Sequence, residues 1–467
     1  MKSDWLNLPT KSVRVPESFV SKILKLARLM DNDEPLEEFV ELLLSSGHFV
    51  DYSFAVSSDN ELSFHSMPRN IGIEGLYYIT HFDNIPSILD KGILSHNLVD
   101  KKGLRIETIY NEEVNRIRAD KAVCEGKKLW DFANLYFQPR NAMLYSLVNR
   151  KSLSEKLAIL CIKKKILNRP GVFVTDGNAA SSASRMYSYS QCKNSSLLSQ
   201  ISSQVNCVWW KKEDGSKRKI MAECLVPDKV PPSYIHSIYV SSLDLRSNLR
   251  SSLHQFDKIQ SNKIPVVVDP ERFFCPDFTI KIGRNITLVK GDMFFSRAQT
   301  LTISVNCIGA MGKGLASTAK YRFPDVYVQY QDICKAKKIK LGFPYLCKRE
   351  SSVFSELYDE YLPNDTSSTS TWFLLFPTKD HWRNDSKIES IEQGLIWLLD
   401  NYQRLGITSL ALPSLGCGLG KLHWSEVGPL MCRYLSNMSI NVFLYLPTER
   451  EIDSHFLSEE YLLAPAF

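Results

Sequence analysis

The sequence has no unbroken apolar stretch of the ~18 residues a membrane helix requires, so no helical span and no membrane partner are expected. Its 11 cysteines are an odd number at scattered spacings, without a single CxxC pair. That argues against a disulfide framework and against a structural zinc site, and no metal is expected. The opening residues, MKSDWLNLPTKSVRVPES, lack the basic-then-apolar order of a signal peptide. Internal repeats are absent, and so is the GxxxxGK[ST] loop of the P-loop nucleotidases. Together these absences predict a soluble, reduced, cytoplasmic protein. At ~100–200 residues per domain, 467 residues leave room for two to four domains, each able to bury a core.

The formal net charge of +6 is unevenly spread. Residues 1–70 carry 7 basic and 11 acidic side chains, residues 71–275 carry 30 and 20, and residues 276–467 carry 20 of each. The positive charge therefore lies in the middle, where it suits a polyanion binder or simply a basic soluble surface. The first 70 residues read as a small helical region. ESFVSKILKLARLM and EPLEEFVELLLSSG have helical apolar spacing around a turn at Asn32-Asp33-Glu34-Pro35. Their apolar stripe is expected to form a core rather than a partner surface.

In residues 71–275, short apolar runs such as GLYYITH, LAILCIKKKI, SYIHSIYVSS and KIPVVVDPERFF alternate with long polar connections. This pattern predicts an α+β domain on antiparallel or split sheets, with 241–262 as a partly helical connector. Residues 276–467 alternate strands and helices instead: ITLVKGDMF, LTISVNC, GKGLASTAKYRF, TWFLLFPTK, SKIESIEQGLIWLLDNYQRLG, SLALPSLG, HWSEVGPLMCRYL and INVFLYLP. Such alternation specifies an α/β/α sandwich around a mixed sheet. The polar stretch between Ser351 and Thr371 reads as a surface loop.

Two glycine-rich loops in the last segment each follow an apolar strand: Asn306-Cys-Ile-Gly309-Ala-Met-Gly312-Lys313-Gly314 and Leu415-Gly416-Cys417-Gly418-Leu419-Gly420. Glycine lets backbone N–H groups approach a ligand closely, and a helix start favours phosphate. Two such loops at strand carboxyl ends point to a diphosphate held between them. Phe376-Pro-Thr-Lys379-Asp380-His381-Trp382-Arg383 ends a third strand, placing Lys379 at the same edge as a Schiff-base nucleophile, a charge partner or a solvated loop lysine.

With ITLVKGDMF and ALPSLGCGLGKLHW added in the same order, these motifs resemble a macrodomain of the DarG antitoxin type, related to the human terminal ADP-ribose protein glycohydrolase. The resemblance implies an ADP-ribose site with Asp292 near the adenine and Asn306 by the distal ribose. Gly309, Gly312, Lys313, Gly314, Ser414, Gly416, Cys417 and Gly418 would lie around the diphosphate, and Lys379 would be catalytic. Human relatives also use an Asp in the second loop, where this chain has Gly420, which leaves Lys379 as the main candidate.

In the middle segment, His81 ends a strand, where a lone His is more often a packed or capping residue than a ligand. Arg140 precedes an amphipathic helix and could form a structural salt bridge. Glu223 is flanked by apolar residues on a strand, a costly place for a carboxylate unless it is paired or reactive. LYYITHFDNIPSIL, LYFQPRNAMLY, VFVTDGNAASSASRMY and AECLVPDKVP together resemble the DarT toxin family, NAD-dependent ADP-ribosyltransferases that modify a base in single-stranded DNA. The resemblance implies that Thr80, His81, Asn84 and Arg140 hold NAD, with Arg140 and Glu223 catalytic; Tyr78 stands where the family often has His. Lys163, Lys164, Lys165, Lys211, Lys212, Lys217, Arg218 and Lys219 offer partners for strand phosphates, and Trp209, Trp210 or Tyr187 offer stacking faces.

The expectation is a fused toxin and antitoxin: 1–70 helical, 71–275 an ADP-ribosyltransferase-like domain, 276–467 a macrodomain. The first catalytic domain would write ADP-ribose onto a DNA base, thymidine, from NAD. The second would remove it from the ADP-ribosylated DNA and contact the first within the chain. An ADP-ribose reader beside a degenerate, or RNA- or protein-directed, transferase is the alternative.

Overall fold

Strand Leu157–Ile162 shows why the first sheet forms where it does: all six residues of LAILCI are buried, so the strand is covered on both faces. The computed structural model describes residues 75–464, apart from 110–111, 125, 151–152, 194–195, 255–263, 359–369 and 448–450. The helical reading of residues 1–70 lies outside the described residues. Eight strands make the first sheet: β1 Leu76–His81, β2 Phe132–Tyr136, β3 Leu157–Ile162, β4 Phe173–Thr175, β5 Met186–Ser188, β6 Glu223–Pro227, β7 Ile235–Val240 and β8 Val266–Val268. They run in the order β8-β7-β3-β1-β2-β6-β4-β5. Every pairing is antiparallel except β7 with β8. The connector between β7 and β8 contains a helix, Leu243–His254.

Seven strands make the second sheet: β9 Phe278–Ile282, β10 Ile286–Lys290, β11 Thr300–Asn306, β12 Tyr345–Cys347, β13 Trp372–Lys379, β14 Ser409–Pro413 and β15 Asn441–Tyr445. Their order is β9-β10-β15-β14-β11-β13-β12. The five inner strands are parallel, and the two edge strands pair antiparallel. Helices Ile388–Leu405 and Trp424–Leu435 pack on one face, while Gly314–Arg322 and Pro324–Lys335 pack on the other. This is the expected α+β domain followed by an α/β/α sandwich. The parallel inner strands send the ends of β10, β11, β13, β14 and β15 to one edge. Asp292, Asn306, Lys379, Ser414 and Tyr445 therefore share that edge.

One apolar cluster runs without a break from the inner face of the first sheet, through Tyr77, Tyr136 and Tyr145, to Phe294, Phe323 and Tyr330 beneath the second. Tyr145 lies 5.3 Å from Phe274, 5.8 Å from Phe295 and from Phe354, 6.1 Å from Tyr358 and 6.2 Å from Trp210, centroid to centroid. The indole of Trp210 donates to the Leu357 carbonyl at 3.0 Å. Arg297 donates to the Asn149 carbonyl at 2.6 Å and to its side chain at 3.0 Å.

Two sequence expectations change at this junction. The stretch from Ser351 opens as a helix, Val353–Leu357, whose Val353 and Leu357, with Tyr358 just beyond it, are buried against the first domain. The apolar pairs Val353/Leu357 and Phe354/Tyr358 are i, i+4 neighbours on one helical face, which the polar average of the stretch hides. Trp210, at 2% exposure, is a core residue of the junction and not a stacking face for bases. Likewise Lys211 donates to the Tyr321 carbonyl at 3.2 Å and Lys217 to the Glu356 carbonyl at 3.2 Å, so both reach the second domain. Among the described residues no helix is long and apolar enough to cross a membrane.

Replacing Trp210 by Ala removes a large buried ring and the hydrogen bond to Leu357. The expected cost is about 3–5 kcal/mol, read as a lower midpoint in urea unfolding. A midpoint unchanged from wild type would show that the junction contributes little to stability.

Candidate functional site

Glu223 opens β6 opposite Tyr136 of β2, which in turn faces Tyr77 of β1, so the three side chains form a row on one face of the sheet. The carboxylate is 0% exposed, and four donors surround it. Oε1 accepts from Arg118 Nη2 at 2.8 Å and from the Ala179 N–H at 2.8 Å; Oε2 accepts from Arg118 Nη1 at 3.1 Å and from Asn134 Nδ2 at 2.9 Å. The Glu223 N–H donates to Thr175 Oγ1 at 2.9 Å, which fixes the residue from behind. A buried carboxylate is costly unless paired, and here a two-pronged arginine meets that cost.

Arg118 comes from the helix Glu112–Asp120, and Lys121 follows it with Nζ donating to the Ser181 carbonyl at 2.5 Å. Burial lowers the pKa of Lys121, opposed by Glu223 and aided by Arg118. His96 stacks on Trp130 at 4.3 Å, and burial, then Arg118, bring its pKa down to about 4, so it is neutral near pH 7. Sequence reasoning passed over Arg118, Lys121, Asn134 and His96. Arg118 and Lys121 stand i, i+3 apart, a signal that also describes an ordinary solvated face.

Thr80, His81 and Asn84 gather at the far end of β1. His81 Nδ1 accepts from the Asp83 N–H at 3.3 Å, the capping arrangement, and its ring stacks on Phe82 at 5.4 Å. Asn84 donates to Thr80 Oγ1 at 3.1 Å and to the Glu107 carbonyl at 2.8 Å, and accepts from the Glu107 N–H at 2.9 Å. Strand alternation gives His81 the same face as Tyr77 and Glu223, and Thr80 the opposite one. His81 is four residues beyond Tyr77, about 13 Å along the strand. The Glu223 carboxylate and His81 therefore mark two ends of one face.

Arg140 lies at the junction of the domains. Its Nη1 donates to Glu271 at 3.0 Å, and its guanidinium sits 4.7 Å from the Phe274 ring and 5.5 Å from the Phe295 ring. The arginine that grips Glu223 is Arg118. Asn141, next to Arg140, caps the helix Ala142–Val148 through the Leu144 N–H at 3.0 Å.

On the second domain, Lys379 donates to the Leu419 carbonyl of the second glycine loop at 2.5 Å. Burial lowers the Lys379 pKa, with nearby Asp385 opposing and Lys421 adding to the effect. Lys421 and Asp385 form an exposed ion pair at 3.1 Å. Gly416 has φ +74°, and a Cβ on Gly420 would collide with the Gly416 carbonyl and the Ser386 hydroxyl. The loop therefore cannot carry an aspartate at this position without moving.

Asn306 shapes the first loop: Oδ1 accepts from Ile308, Ala310 and Tyr330, and Nδ2 donates to the Ala310 carbonyl. Gly309 has φ +85° against Cys334, while Gly312 faces open space, and Lys313 and Gly314 begin a helix. Ser414 donates its N–H to the Tyr445 carbonyl at 2.9 Å, and Cys417 and Gly418 follow in the turn. Asp292 is held by Arg322 at 2.7 Å. Among the described residues there is no group of three or more His, Cys, Asp or Glu placed to hold a metal ion.

A walled-in carboxylate on an antiparallel sheet suits charge developing on a sugar carbon, and a glycine-lined parallel edge ending in a partly buried lysine suits a diphosphate-bearing sugar. Joined, they define an ADP-ribosyltransferase linked to a macrodomain. A family profile described as "ssDNA thymidine ADP-ribosyltransferase, DarT" matches residues 77–274, and one described as "Macro domain" matches residues 304–431. The chain is 51% identical over 388 residues to the DNA ADP-ribosyl transferase–DNA ADP-ribosyl glycohydrolase fusion protein of Thermosipho africanus, covering 83% of this chain and 98% of that protein. It is 33% identical over 165 residues to the DNA ADP-ribosyl glycohydrolase of Thermus aquaticus, 35% of this chain and 42% of that one. The solved structure of Thermosipho africanus DarTG in complex with ADP-ribose superposes with a TM-score of 0.75 at 50% identity, covering 83% of this chain and 99% of that one. The chain belongs to the DarT–DarG fusion family, in which a DNA ADP-ribosyltransferase and a DNA ADP-ribosyl glycohydrolase share one polypeptide.

The charges around Lys379 give opposite predictions for two substitutions. Lys421→Gln removes a charge that lowers the lysine pKa, so the neutral amine needs a higher pH. Asp385→Asn removes a charge that raises it, so the neutral amine appears at lower pH. If the neutral Lys379 amine is the nucleophile, the rising limb of the pH profile for ADP-ribose release from DNA should move up for the first and down for the second. Shifts in the same direction would contradict this assignment.

Proposed function

We propose that the first domain passes the ADP-ribosyl group of NAD to a ring nitrogen of thymidine in single-stranded DNA, and that the second cleaves the bond so formed. The observation that carries this reading is the Glu223 carboxylate, fully buried with four donors. As the bond to nicotinamide breaks, its electron pair leaves with nicotinamide and positive charge grows on the ribose carbon. A fixed carboxylate in a water-poor wall stabilises that charge. The base nitrogen then forms the new bond, and its proton passes to water. Arginine is a poor proton acceptor at its usual pKa, so neither Arg118 nor Arg140 is assigned that step.

All four acceptor positions of Glu223 are taken, so a ribose hydroxyl gains one only if a donor yields. The side-chain donors Arg118 and Asn134 can move without disturbing backbone, and Arg118 is the proposed gate. Thr80, His81, Asn84 and Arg140 are proposed to hold the remainder of NAD, with Arg140 serving catalysis as a charge that polarises the base or the NAD phosphate. Exposed Lys163, Lys164, Lys165 and Lys212 supply the electrostatic attraction for the strand.

In the second domain, the Lys379 amine is proposed to attack the same ribose carbon. The base leaves carrying a proton, and water then releases ADP-ribose and restores the amine. The two loops would hold the diphosphate through Gly309, Gly312, Lys313, Gly314, Ser414, Gly416, Cys417 and Gly418, with Asp292 toward the adenine and Asn306 setting the loop beside the distal ribose. Fusion keeps the eraser at a fixed ratio and a high effective concentration beside the writer. The 11 free cysteines fit action in a reducing cytoplasm.

Nicotinamide release from NAD tests the assignment with three acceptors: a single-stranded DNA oligonucleotide, an RNA of the same sequence, and an unrelated protein. Release is expected with DNA alone, and Glu223→Gln should reduce it by about 10²- to 10³-fold. Release driven equally by RNA or protein would overturn the DNA assignment.

A further inference from the structure

Arg322, the last residue of the helix Gly314–Arg322, is 8% exposed, yet its guanidinium is covered from outside its own domain. Trp209, in the transferase half of the chain, places its ring 4.6 Å from the Arg322 Cζ. The rings of Phe294 and Phe295 lie at 5.1 and 5.7 Å. Trp209 is itself fixed by Phe295 at 5.4 Å and by Phe323, edge-on, at 5.4 Å. Two residues further on, Lys211 holds the Tyr321 carbonyl. The segment 209–211 thus clamps the end of a macrodomain helix.

The charge that balances Arg322 is Asp292. Nη1 of Arg322 stands 2.7 Å from Oδ2 and 3.0 Å from Oδ1, and Oδ1 also accepts from the Phe294 N–H at 3.0 Å. The aspartate side chain remains 33% exposed. A carboxylate offers about four acceptor positions, so one on Oδ2 is open to a donor from a ligand.

Asp292 follows β10, and Lys379 ends β13. In the order β10-β15-β14-β11-β13 these are four strand steps apart, about 19 Å at the usual spacing. An extended ADP-ribose with its distal ribose at Lys379 and its diphosphate over the glycine loops brings its adenine to Asp292. This rests on the reading above, that the second domain binds ADP-ribose.

We infer that Trp209 is a positioning residue for the macrodomain's reaction: by covering Arg322 it fixes the Asp292 carboxylate that receives the amino group of adenine. The transferase domain therefore completes the adenine end of the eraser's site. ADP-ribose binding and the seating of the two domains are linked, each strengthening the other.

Calorimetry on the full chain tests this with two ligands, ADP-ribose and its hypoxanthine counterpart, which has a carbonyl in place of the amino group. Wild type should prefer ADP-ribose. Trp209→Ala should weaken ADP-ribose about tenfold, the worth of a charged hydrogen bond, and the hypoxanthine ligand no more than twofold. Trp209→Phe, which keeps a ring over Arg322, should recover most of the loss. An unchanged ADP-ribose affinity in Trp209→Ala overturns the inference. An equal loss for both ligands overturns it as well, since that reports general damage. A wild type that binds neither ligand overturns the underlying reading and takes the inference with it.

Discussion

Tyr145 stands where two catalytic domains meet, ringed by aromatic residues from both. Burial pushes its phenol far above the usual range, so the ring acts as a large neutral core residue. Around it, Trp210, Phe274, Phe295, Phe354 and Tyr358 join the inner face of an antiparallel sheet to the underside of a parallel one. Because this core is continuous, the geometry of each site depends on the other domain being seated. Arg140 lies over Phe295, and Arg322 lies under Trp209, so each domain lays an aromatic ring on an arginine of the other.

Burial sets the chemistry of both sites, with different outcomes. In the first domain it surrounds a carboxylate with donors until the negative charge is fixed in place and shielded from water. In the second it lowers the pKa of a lysine, favouring the neutral amine that can act as a nucleophile. A carboxylate suits the making of a glycosidic bond through a cationic sugar, and a neutral amine suits its breaking. Opposing chemistries on one chain need no regulatory subunit to remain matched in amount.

Much of the fold was legible in the sequence because its strands are continuous apolar runs or strict apolar–polar alternations. LAILCI and LTISVN are buried along most of their length, and such runs admit few other readings. The helix Ile388–Leu405 was legible too, since its apolar period ends on Gly406, which takes φ +81° as a helix stop. Glycine loops and Lys379 were legible as an edge because strand ends in a parallel sheet must coincide. What escaped was decided by tertiary contact. Arg118 meets Glu223 across 105 positions of chain, and no local pattern announces it. Trp209 and Trp210 looked like stacking faces because a tryptophan beside lysines has the same composition in a nucleic-acid groove and in a domain junction. The polar stretch after Ser351 hid four apolar residues that anchor one domain to the other.

Writer and eraser on one chain is the central claim, and it is tested most directly by mass spectrometry of a single-stranded oligonucleotide incubated with NAD and the Lys379→Ala protein beside wild type. With the eraser's amine removed and the transferase intact, oligonucleotide carrying one ADP-ribosyl group on thymidine should accumulate well above the wild-type level. Equal levels of modified oligonucleotide from the two proteins would contradict the account.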